Sequence, residues 1–261
     1  MRRRLRTWRS CDADCYPRHI SLLLTYKLQV HNHEVFGNIP LVFRSDEFSL
    51  LNGWIFAKVE KNIIIEHVEQ ETSWWCWIAS ALMFVKHYFP DFGGVTRITQ
   101  YNCAYYYFLR DQDYEGTVDD MPGSPKEAID YYFNTEGYAL PTIFLNGKIY
   151  EEKTIMQFID DGHVLIINHR RYEKNGDIYQ FNPDEPGHMY VLTGYVLING
   201  NIWFVLLDPD TGLDGRTALL VTYDELCCSH ETRNDPWFFW YATLVVDTEY
   251  ANKTLPWKFP E

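Results

Sequence analysis

The chain lacks any long hydrophobic run, which argues against a membrane-spanning helix. Its longest apolar segments, "VLIIN" and "WFVLL", have the length of strands, whereas a membrane span needs about 20 apolar residues. The start of the chain is basic, but it lacks the pattern of a secretory signal, because the apolar segment Ile20–Leu24 is shorter than the roughly 7 to 15 residues required. We therefore expect no membrane span. The compartment stays open between the cytoplasm and export by a non-classical route.

Positive charge is also scarce. Lys and Arg total 23 against 36 Asp and Glu, and the formal net charge is −13. Five of the arginines lie within the first nine residues, so the rest of the chain is more acidic still. Such a surface repels phosphate backbones, and we expect no nucleic-acid partner. The chain is instead rich in hydrophobic residues (46%) and aromatic residues (17%), enough for one large domain or two lobes that share a core.

Cysteine is sparse as well, since six cysteines in 261 residues fall below the density of a disulfide scaffold. Cys11, Cys15 and His19 follow one another at four-residue spacing, but a fourth ligand is not evident, and we expect no metal site there. Cys227 and Cys228 are adjacent and poorly suited to bridge one another. We therefore expect reduced, structural thiols with one exception, and neither a metal nor another cofactor.

Three consecutive parts are expected along the chain. They are an N-terminal extension with short strands over residues 1–67, a main domain over residues 68–250 and a C-terminal tail over residues 251–261. The extension is expected to pack on the body. Its β-prone runs are "SLLLTYKLQV", "IPLVF", "WIFAKV" and "NIIIEHV", separated by polar residues or by Gly and Pro.

Three helices are predicted in the main domain. The first begins near Cys76, after the possible cap residues Thr72 and Ser73, and stops at the next proline. The second follows Ser124 in "GSPKEAIDYYF", where Pro and Glu occupy the positions of a capped first turn. The third, "EEKTIMQFID", ends before Gly162, a residue suited to the position after a helix.

After the third helix the sequence becomes strand-like. The runs are "HVLIINHR", "DIYQF", "HMYVLTGYVLI", "NIWFVLLD", "TALLVTY" and "WYATLVV". Asn199-Gly200 predicts a type I′ hairpin that joins Tyr190–Ile198 to Ile202–Leu207, with Ile198 paired to Asn201. Helices followed by antiparallel strands are typical of an α+β fold.

Cys76 stands among three tryptophans in "EQETSWWCWIASALMFVKHY", at the start of the first predicted helix. Most free cysteines are small buried hydrophobes, and that interpretation has to be weighed first. A nucleophilic thiolate needs a lowered pKa, an imidazole partner and donors for an oxyanion. A helix N-terminus contributes to the first need, because its unpaired N–H groups and dipole favour negative charge. Cys76 is therefore a candidate nucleophile.

His188 is the best candidate partner among nine histidines. It opens a predicted strand directly after Pro186-Gly187, so its ring is expected at the edge of the sheet. Asp208 ends the strand on the other side of the Asn199-Gly200 hairpin, and the pairing brings it towards the same end of the sheet as His188. A base and the group that orients it require this placement.

Other residues stay open as alternatives. The alternative partners of the thiol are His67, His163 and His169, and the alternative to Asp208 is Asp210. An Asp before Pro is also favourable turn chemistry, which gives Asp208 a second explanation. His87 is excluded as a partner, because eleven residues of helix place it about 16 Å from Cys76.

The motifs in the main domain, taken in order, resemble papain-like cysteine proteases. "QETSWWCWIASALM", "TQYNCA", "GHMYVLTGY" and "LLDPDTG", followed by "VTYDEL", look like the compact bacterial branch of the plant-pathogen avirulence type, related to the staphopains and to bacteriocin-processing peptidases. The resemblance covers about Val68 to Leu226. It implies a papain-like two-lobed α+β fold, in which an N-terminal helical lobe carries the catalytic helix and faces a C-terminal antiparallel β lobe across a cleft.

The resemblance also implies roles for individual residues. Cys76 is the nucleophile, His188 the general base and later the general acid, Asp208 the group that orients the imidazole, and Gln70 with the Cys76 N–H the oxyanion hole. Trp75 and Trp77 line the substrate groove. The third triad residue, Asp208, departs from papain-type relatives, which usually have Asn at that position. The acidic, aromatic insert at residues 105–120 has no counterpart in the family.

Three functions stay open at this point. The first is a cysteine peptidase, the second an acyltransferase or amidase with the same triad, and the third a catalytically inactive papain-like binding module whose cleft the insert closes. Fold alone does not settle the reaction. The expected partner is a protein or peptide substrate, met by a monomer.

Overall fold

The protein, seen in a computed structural model, is described at residues 20–21, 28–30, 33–35, 42–43, 57–90, 98–109, 120–134, 136–175, 178–181, 187–198, 200–211, 217–230, 236–249 and 251–256. Over these residues it combines helices with antiparallel strands. The predicted α+β class is therefore confirmed.

Five α-helices lie within the described residues. Their bounds are α1 (Cys76–Tyr88), α2 (Gln100–Leu109), α3 (Pro125–Glu127), which a π-helix continues over Ala128–Phe133, α4 (Glu152–Asp160) and α5 (Tyr223–Cys227). The predicted helices correspond to α1, to α3 with its π-helical continuation, and to α4. Among the residues that the structure describes, no helix has both the length and the apolar character needed to cross a membrane.

Local signals explain which helices the sequence predicts. Ser124 caps α3 as expected, because its Oγ accepts the Glu127 N–H over 3.4 Å. The prediction misses α2 and α5, and the strand expected for "TALLVTY" gives way to α5 after Val221. The signal for α5 was nonetheless present: Thr222 and Glu225 form a capping box, which is the S/T-x-x-E pattern.

The predicted capping of α1 by Thr72 or Ser73 is wrong. Trp75 occupies the N-cap position, and no side chain within the described residues caps the helix there. Thr72 instead donates its Oγ1–H to Asp120 over 2.6 Å, and the Trp74 N–H donates to the same carboxylate oxygen over 2.7 Å. A carboxylate from a distant part of the sequence therefore fixes the approach to α1, and a pattern of neighbouring residues does not detect it.

Nine of the fifteen described strands form one antiparallel sheet. The strands are β1 (Ile20–Ser21), β2 (Leu28–Val30), β3 (His33–Val35), β4 (Val42–Phe43), β5 (Ala57–Asn62), β6 (Thr142–Asn146), β7 (Lys148–Ile149), β8 (Leu165–Asn175), β9 (Ile178–Phe181), β10 (His188–Ile198), β11 (Asn201–Leu207), β12 (Ala218–Val221), β13 (Cys228–His230), β14 (Pro236–Val246) and β15 (Leu255–Pro256). The sheet order is β12-β11-β10-β8-β14-β13, and β5, β6 and β9 pair with β10, β14 and β8 respectively. The remaining strands pair as β1 with β4, β2 with β3, and β7 with β15.

The predicted N-terminal extension contributes β5 to this sheet. β5 runs antiparallel to β10, with Asn62 opposite Gly194. The strand predicted for "NIIIEHV" is wrong beyond its first residue, because the chain from His67 onward bonds to the turn after β11 instead of to a neighbouring strand. The boundaries at residues 68 and 250 stay predictions.

The hairpin between β10 and β11 is confirmed. Ile198 lies opposite Asn201, and Gly200 has a φ of 85°, in the left-handed region that glycine adopts readily. The pairing ends with Val191 opposite Leu207. The first residues of β10 and the residue after β11 consequently lie at the same end of the sheet.

The central sheet separates two hydrophobic cores, because successive side chains of a strand point to opposite faces. Ile166 and Val191 pack in a core with α1, α2 and the π-helix. Leu165 and Leu192 pack in a second core with α4 and α5. Helix α1 therefore lies on one face of the sheet.

Replacing Thr222 with alanine tests the capping box of α5. The variant loses the Oγ1 that accepts the Glu225 N–H, and loss of an N-cap side chain costs about 1 kcal/mol. We expect the free energy of unfolding to fall by about that amount in urea titrations followed by circular dichroism. Thr222→Ser keeps the hydroxyl and is the matched control. An equal loss in both variants would assign the effect to the methyl group and not to the cap.

Candidate active site

Cys76 is the first residue of α1, which lies across the beginning of β10. The Cys76 Sγ is 3.9 Å from the Gly187 carbonyl oxygen, and one helical turn later the Ser80 hydroxyl donates to the Met189 carbonyl over 3.3 Å. The residue is 5% exposed. The N–H groups in the first turn of a helix have no acceptor within the helix and face outward from its N-terminus. Cys76 therefore lies where a helix N-terminus meets the start of a strand.

His188 is the first residue of β10, and close backbone packing fixes its position. It lies opposite His169 of β8. A Cβ on the preceding residue, Gly187, would lie 2.5 Å from the His169 carbonyl oxygen, so only glycine fits there without a shift. The Tyr190 ring packs edge-on against the His188 imidazole, with centroids 4.6 Å apart.

The His188 imidazole joins Cys76 to Asp208. Its Nε2 is 2.7 Å from Asp208 Oδ1, and its side chain is also hydrogen-bonded to Cys76. Because the carboxylate engages Nε2, Nδ1 is the nitrogen left to face the thiol. The structure thus brings together the three side chains that the sequence selects, and their catalytic roles stay a prediction.

The surroundings of His188 favour its protonated form. Burial lowers the pKa of His188, but hydrogen bonds and charges from Asp208 and Cys76 outweigh burial and raise the pKa to about 10. An imidazole with that pKa carries a proton at neutral pH. A protonated imidazole is the partner that a reactive thiolate requires.

Asp208 is held by bonds to its main chain and its side chain. Its N–H donates to the Thr217 carbonyl over 3.1 Å, and its own carbonyl accepts from His67 Nε2 over 2.6 Å. Oδ1, which faces His188, also accepts the Asp210 N–H over 2.9 Å. A carboxylate that bonds the N–H two residues ahead is an Asx turn. Asp208 therefore both forms the turn and contacts the His188 imidazole, so the two explanations of this residue do not exclude each other.

Two alternative histidines have other partners. The Tyr88 hydroxyl is 3.4 Å from His163 Nδ1, and Tyr88 ends α1, about 18 Å along the helix axis from Cys76. His169 is buried and donates from Nε2 to the Leu226 carbonyl over 2.8 Å. Burial lowers the pKa of His169, against the bond to Leu226, to about 4. His163 is therefore too distant to serve Cys76, and His169 is a neutral residue with a structural bond.

Gln70 lies between β5 and α1, next to the turn that carries Asp208. Its N–H donates to the carbonyl of Pro209, the residue after Asp208, over 2.8 Å. Its side-chain Nε2 donates to the Ser73 carbonyl over 3.2 Å, which uses one of its two hydrogens. Its Oε1 is buried and has no hydrogen-bond partner within the described residues. Its part in an oxyanion hole stays a prediction.

Trp75 and Trp77 are buried at 3% and 1% exposure. The Trp77 Nε1–H donates to the Met121 carbonyl over 3.2 Å, and its ring lies against Tyr107 of α2 with centroids 4.8 Å apart. A Cβ on Gly123 would lie 2.5 Å from the same ring. Both indoles pack in the core beside Cys76, and their contact with a substrate stays a prediction.

The insert at residues 105–120 is described only in part. Residues 105–109 belong to α2, residues 110–119 lie outside the described residues, and Asp120 makes the bonds to the approach to α1 given above. His67, an alternative partner of the thiol in the sequence, instead donates to the Asp208 carbonyl. Sequence reasoning did not predict this bond, and it missed Gln100 at the start of α2. The string "TQYNCA" contains Gln100, but its neighbours give no indication of contacts some thirty residues earlier.

The other described thiols are unlike a reactive cysteine. Cys103, Cys227 and Cys228 are free, and burial raises the pKa of Cys103 strongly and those of Cys227 and Cys228 to about 11. Within the described residues no group of three or more His, Cys, Asp and Glu side chains could hold a metal ion. The possible ligands Cys11, Cys15 and His19 lie outside them.

The raised pKa of His188 predicts how stability changes with pH. A group whose folded pKa exceeds its unfolded value, here 6.5, stabilises the fold fully below that value and loses this contribution as the pH rises to about 10. Asp208→Asn removes the carboxylate that raises the pKa. We therefore expect the variant's deficit in free energy of unfolding, measured by urea titration, to be largest near pH 6 and to shrink towards about pH 9.5. Asp210→Asn is the control, and a deficit independent of pH would show that His188 does not hold the proton.

Comparisons with known proteins leave the family open. Neither the protein-family models nor the curated proteins include a match to this chain. One similar solved structure comes from a study of limited antibody cross-reactivity between the mite allergens Blo t 1 and Der p 1, with 14% identity over 74% of this chain and 73% of that chain and a TM-score of 0.41. A similarity of this size carries no argument, and the chemistry of the site rests on its own geometry.

Proposed function

We propose that this protein is a cysteine peptidase, which cleaves protein or peptide substrates as a monomer. The observation that carries the proposal is the hydrogen-bonded line from Cys76 through His188 to Asp208. Its members come from the start of α1, the start of β10 and the turn after β11. A buried structural cysteine needs neither an imidazole nor a carboxylate behind it, whereas an activated nucleophile needs both.

The proposal includes a papain-like arrangement of two lobes in the main domain. Helices α1 and α2 and the π-helix, which share one core, form the helical lobe. The central sheet with α4 and α5, which share the other core, forms the β lobe. The substrate cleft then opens where the N-terminus of α1 meets the start of β10, at Cys76.

In the proposed reaction His188 acts first as a base that takes the Cys76 thiol proton, so substrate meets an imidazolium and a thiolate. The sulfur attacks the carbonyl carbon of the scissile bond, and the π electrons of the carbonyl move to its oxygen. As the C–N bond breaks, His188 gives its proton to the leaving nitrogen, and a thioester remains on Cys76. His188 then accepts a proton from water, the water oxygen attacks the thioester, and the C–S bond breaks to release the acid and the thiolate.

The Cys76 N–H and the Gln70 side chain are the proposed donors to the oxyanion. Cys76 supplies an N–H from the first helical turn, where the helix dipole also favours negative charge. Gln70 Nε2 has a second hydrogen beyond the one donated to Ser73. Such donors contribute most when they are fixed before the charge develops.

Alkylation with limiting iodoacetamide at about pH 6, mapped by mass spectrometry, tests the proposal. Among the thiols of the described residues, Cys76 alone is expected to react, because the pKa of each of the others is raised. His188→Ala removes the imidazolium. The rate constant for Cys76 is then expected to fall roughly 10²-fold, because the proposed thiolate loses the imidazolium that is paired with it.

His163→Ala is the matched control for this experiment, since His163 lies at the other end of α1. Its alkylation rate should equal that of the wild type. Slow labelling, labelling spread over several cysteines, or a rate indifferent to His188 would contradict the peptidase. Cys76 would then be a core residue, and the site would be that of an inactive binding module.

A partition experiment separates the peptidase from an acyltransferase. An activated ester, N-benzyloxycarbonyl-glycine p-nitrophenyl ester, acylates Cys76 irrespective of the natural acceptor, and glycinamide then competes with water for the thioester. We expect the free acid as the main product, measured by chromatography, because the proposal assigns His188 to activate water. Predominant capture by the amine would assign the site to a transferase instead. Cys76→Ser is the control for ester hydrolysis elsewhere on the protein.

A further inference from the structure

We infer that Gln100 is a positioning residue that acts on the oxyanion hole through Gln70, an inference that rests on the proposed function. Gln100 is the first residue of α2 and is 4% exposed. Its Nε2–H donates to the Glu69 carbonyl over 2.6 Å, and its Oε1 accepts the Glu71 N–H over 3.1 Å. One amide therefore bonds the main chain directly before and directly after Gln70.

These two bonds matter because regular structure does not hold this part of the chain. Residues 63–75, all of them described, contain neither helix nor strand. Gln70 itself is bonded through its N–H to the Pro209 carbonyl. The main chain at Glu69, Gln70 and Glu71 is thus bonded at three successive residues, and two of the three bonds come from Gln100.

Gln100 is itself held on a packed element. The Thr99 Oγ1 accepts the Asn102 N–H over 3.0 Å, the bond of an N-cap, and this fixes where α2 begins. Further along α2, Cys103 is fully buried, and Tyr107 lies against Trp77 of α1. The side chain that fixes the main chain around Gln70 is therefore anchored to the helix that carries Cys76.

The consequence is that Gln70 is oriented relative to Cys76 before any substrate binds. An oxyanion donor is effective only if it does not reorganise when the charge develops, and neighbouring residues must supply that rigidity. Gln100 does not touch the substrate in this scheme. It restricts the backbone from which the Gln70 amide projects.

Two probes separate the oxyanion hole from the nucleophile. Iodoacetamide alkylates Cys76 by displacement of iodide at a CH₂ carbon, which forms no oxyanion. The peptide aldehyde N-acetyl-phenylalanyl-glycinal adds the sulfur to its carbonyl carbon, and the carbonyl oxygen becomes the oxygen of a hemithioacetal, where an oxyanion would form. The rate constant of alkylation by iodoacetamide and the dissociation constant of the aldehyde adduct are both measured on the full chain. Titration with iodoacetamide gives the concentration of reactive sites.

Gln100→Met removes both bonds with little change in size. We expect it to weaken binding of the aldehyde roughly 10-fold, as a loosened oxyanion donor would, and to leave the alkylation rate constant of Cys76 within about twofold. Cys103→Ala is the matched control, because it perturbs the buried face of α2 without removing the bonds around Gln70, and both values should match the wild type. If Gln100→Met changes the dissociation constant of the aldehyde and the alkylation rate constant by the same factor, or changes neither, the inference is overturned.

A double-mutant comparison shows whether Gln100 acts through Gln70. Gln70→Ala should weaken aldehyde binding by itself, and adding Gln100→Met to it should cause no further loss. Independent, additive losses would overturn the positioning role. If Gln100→Met does not fold, Gln100→Glu takes its place. This variant retains an acceptor for the Glu71 N–H and lacks the donor to the Glu69 carbonyl. We expect the same weakening of aldehyde binding at an unchanged alkylation rate. A wild type whose Cys76 is alkylated but forms no aldehyde adduct would overturn the peptidase and this inference with it.

Discussion

The hydrogen bond between His188 and the Asp208 carboxylate is the interaction on which the protonation of the imidazole depends. Burial by itself lowers the pKa of the imidazole and would leave it neutral, without a charge to offer a thiolate. The carboxylate and the sulfur together reverse that effect. Asp208 can do so because its position is over-determined: its N–H, its carbonyl and its side chain are each bonded to a different residue.

The turn after β11 connects a part of the site held by sheet hydrogen bonds to a part held by individual hydrogen bonds. β10, which carries His188, is paired with β5, β8 and β11, so regular sheet bonds hold the strand from which the imidazole projects. The segment that leads to α1 has only individual bonds, and two of them end on successive carbonyls of this turn, His67 on Asp208 and Gln70 on Pro209. The turn therefore relates the segment before the helix to the sheet.

The features that could be predicted from the sequence are those with local signals. The Asn199-Gly200 hairpin, the cap at Ser124 and the end of α4 each depend on residues within a few positions of one another. The approach of His188 to Asp208 could be predicted from the hairpin, whereas the link to Cys76 rested on the resemblance to papain-like proteases. The bonds of Asp120 to the approach to α1 and of Gln100 to the main chain around Gln70 join segments that only the folded chain brings together. A single sequence contains no local trace of them.

The order of these residues along the chain has a consequence for biosynthesis. Cys76 and Gly187 are separated by 111 positions, and Asp208 comes later still, while the ribosome makes the chain from its N-terminus. The thiol is therefore made long before the imidazole and carboxylate that would activate it. Until the β10–β11 hairpin has formed and α1 has docked beside it, the nascent chain carries Cys76 without either of these two neighbours.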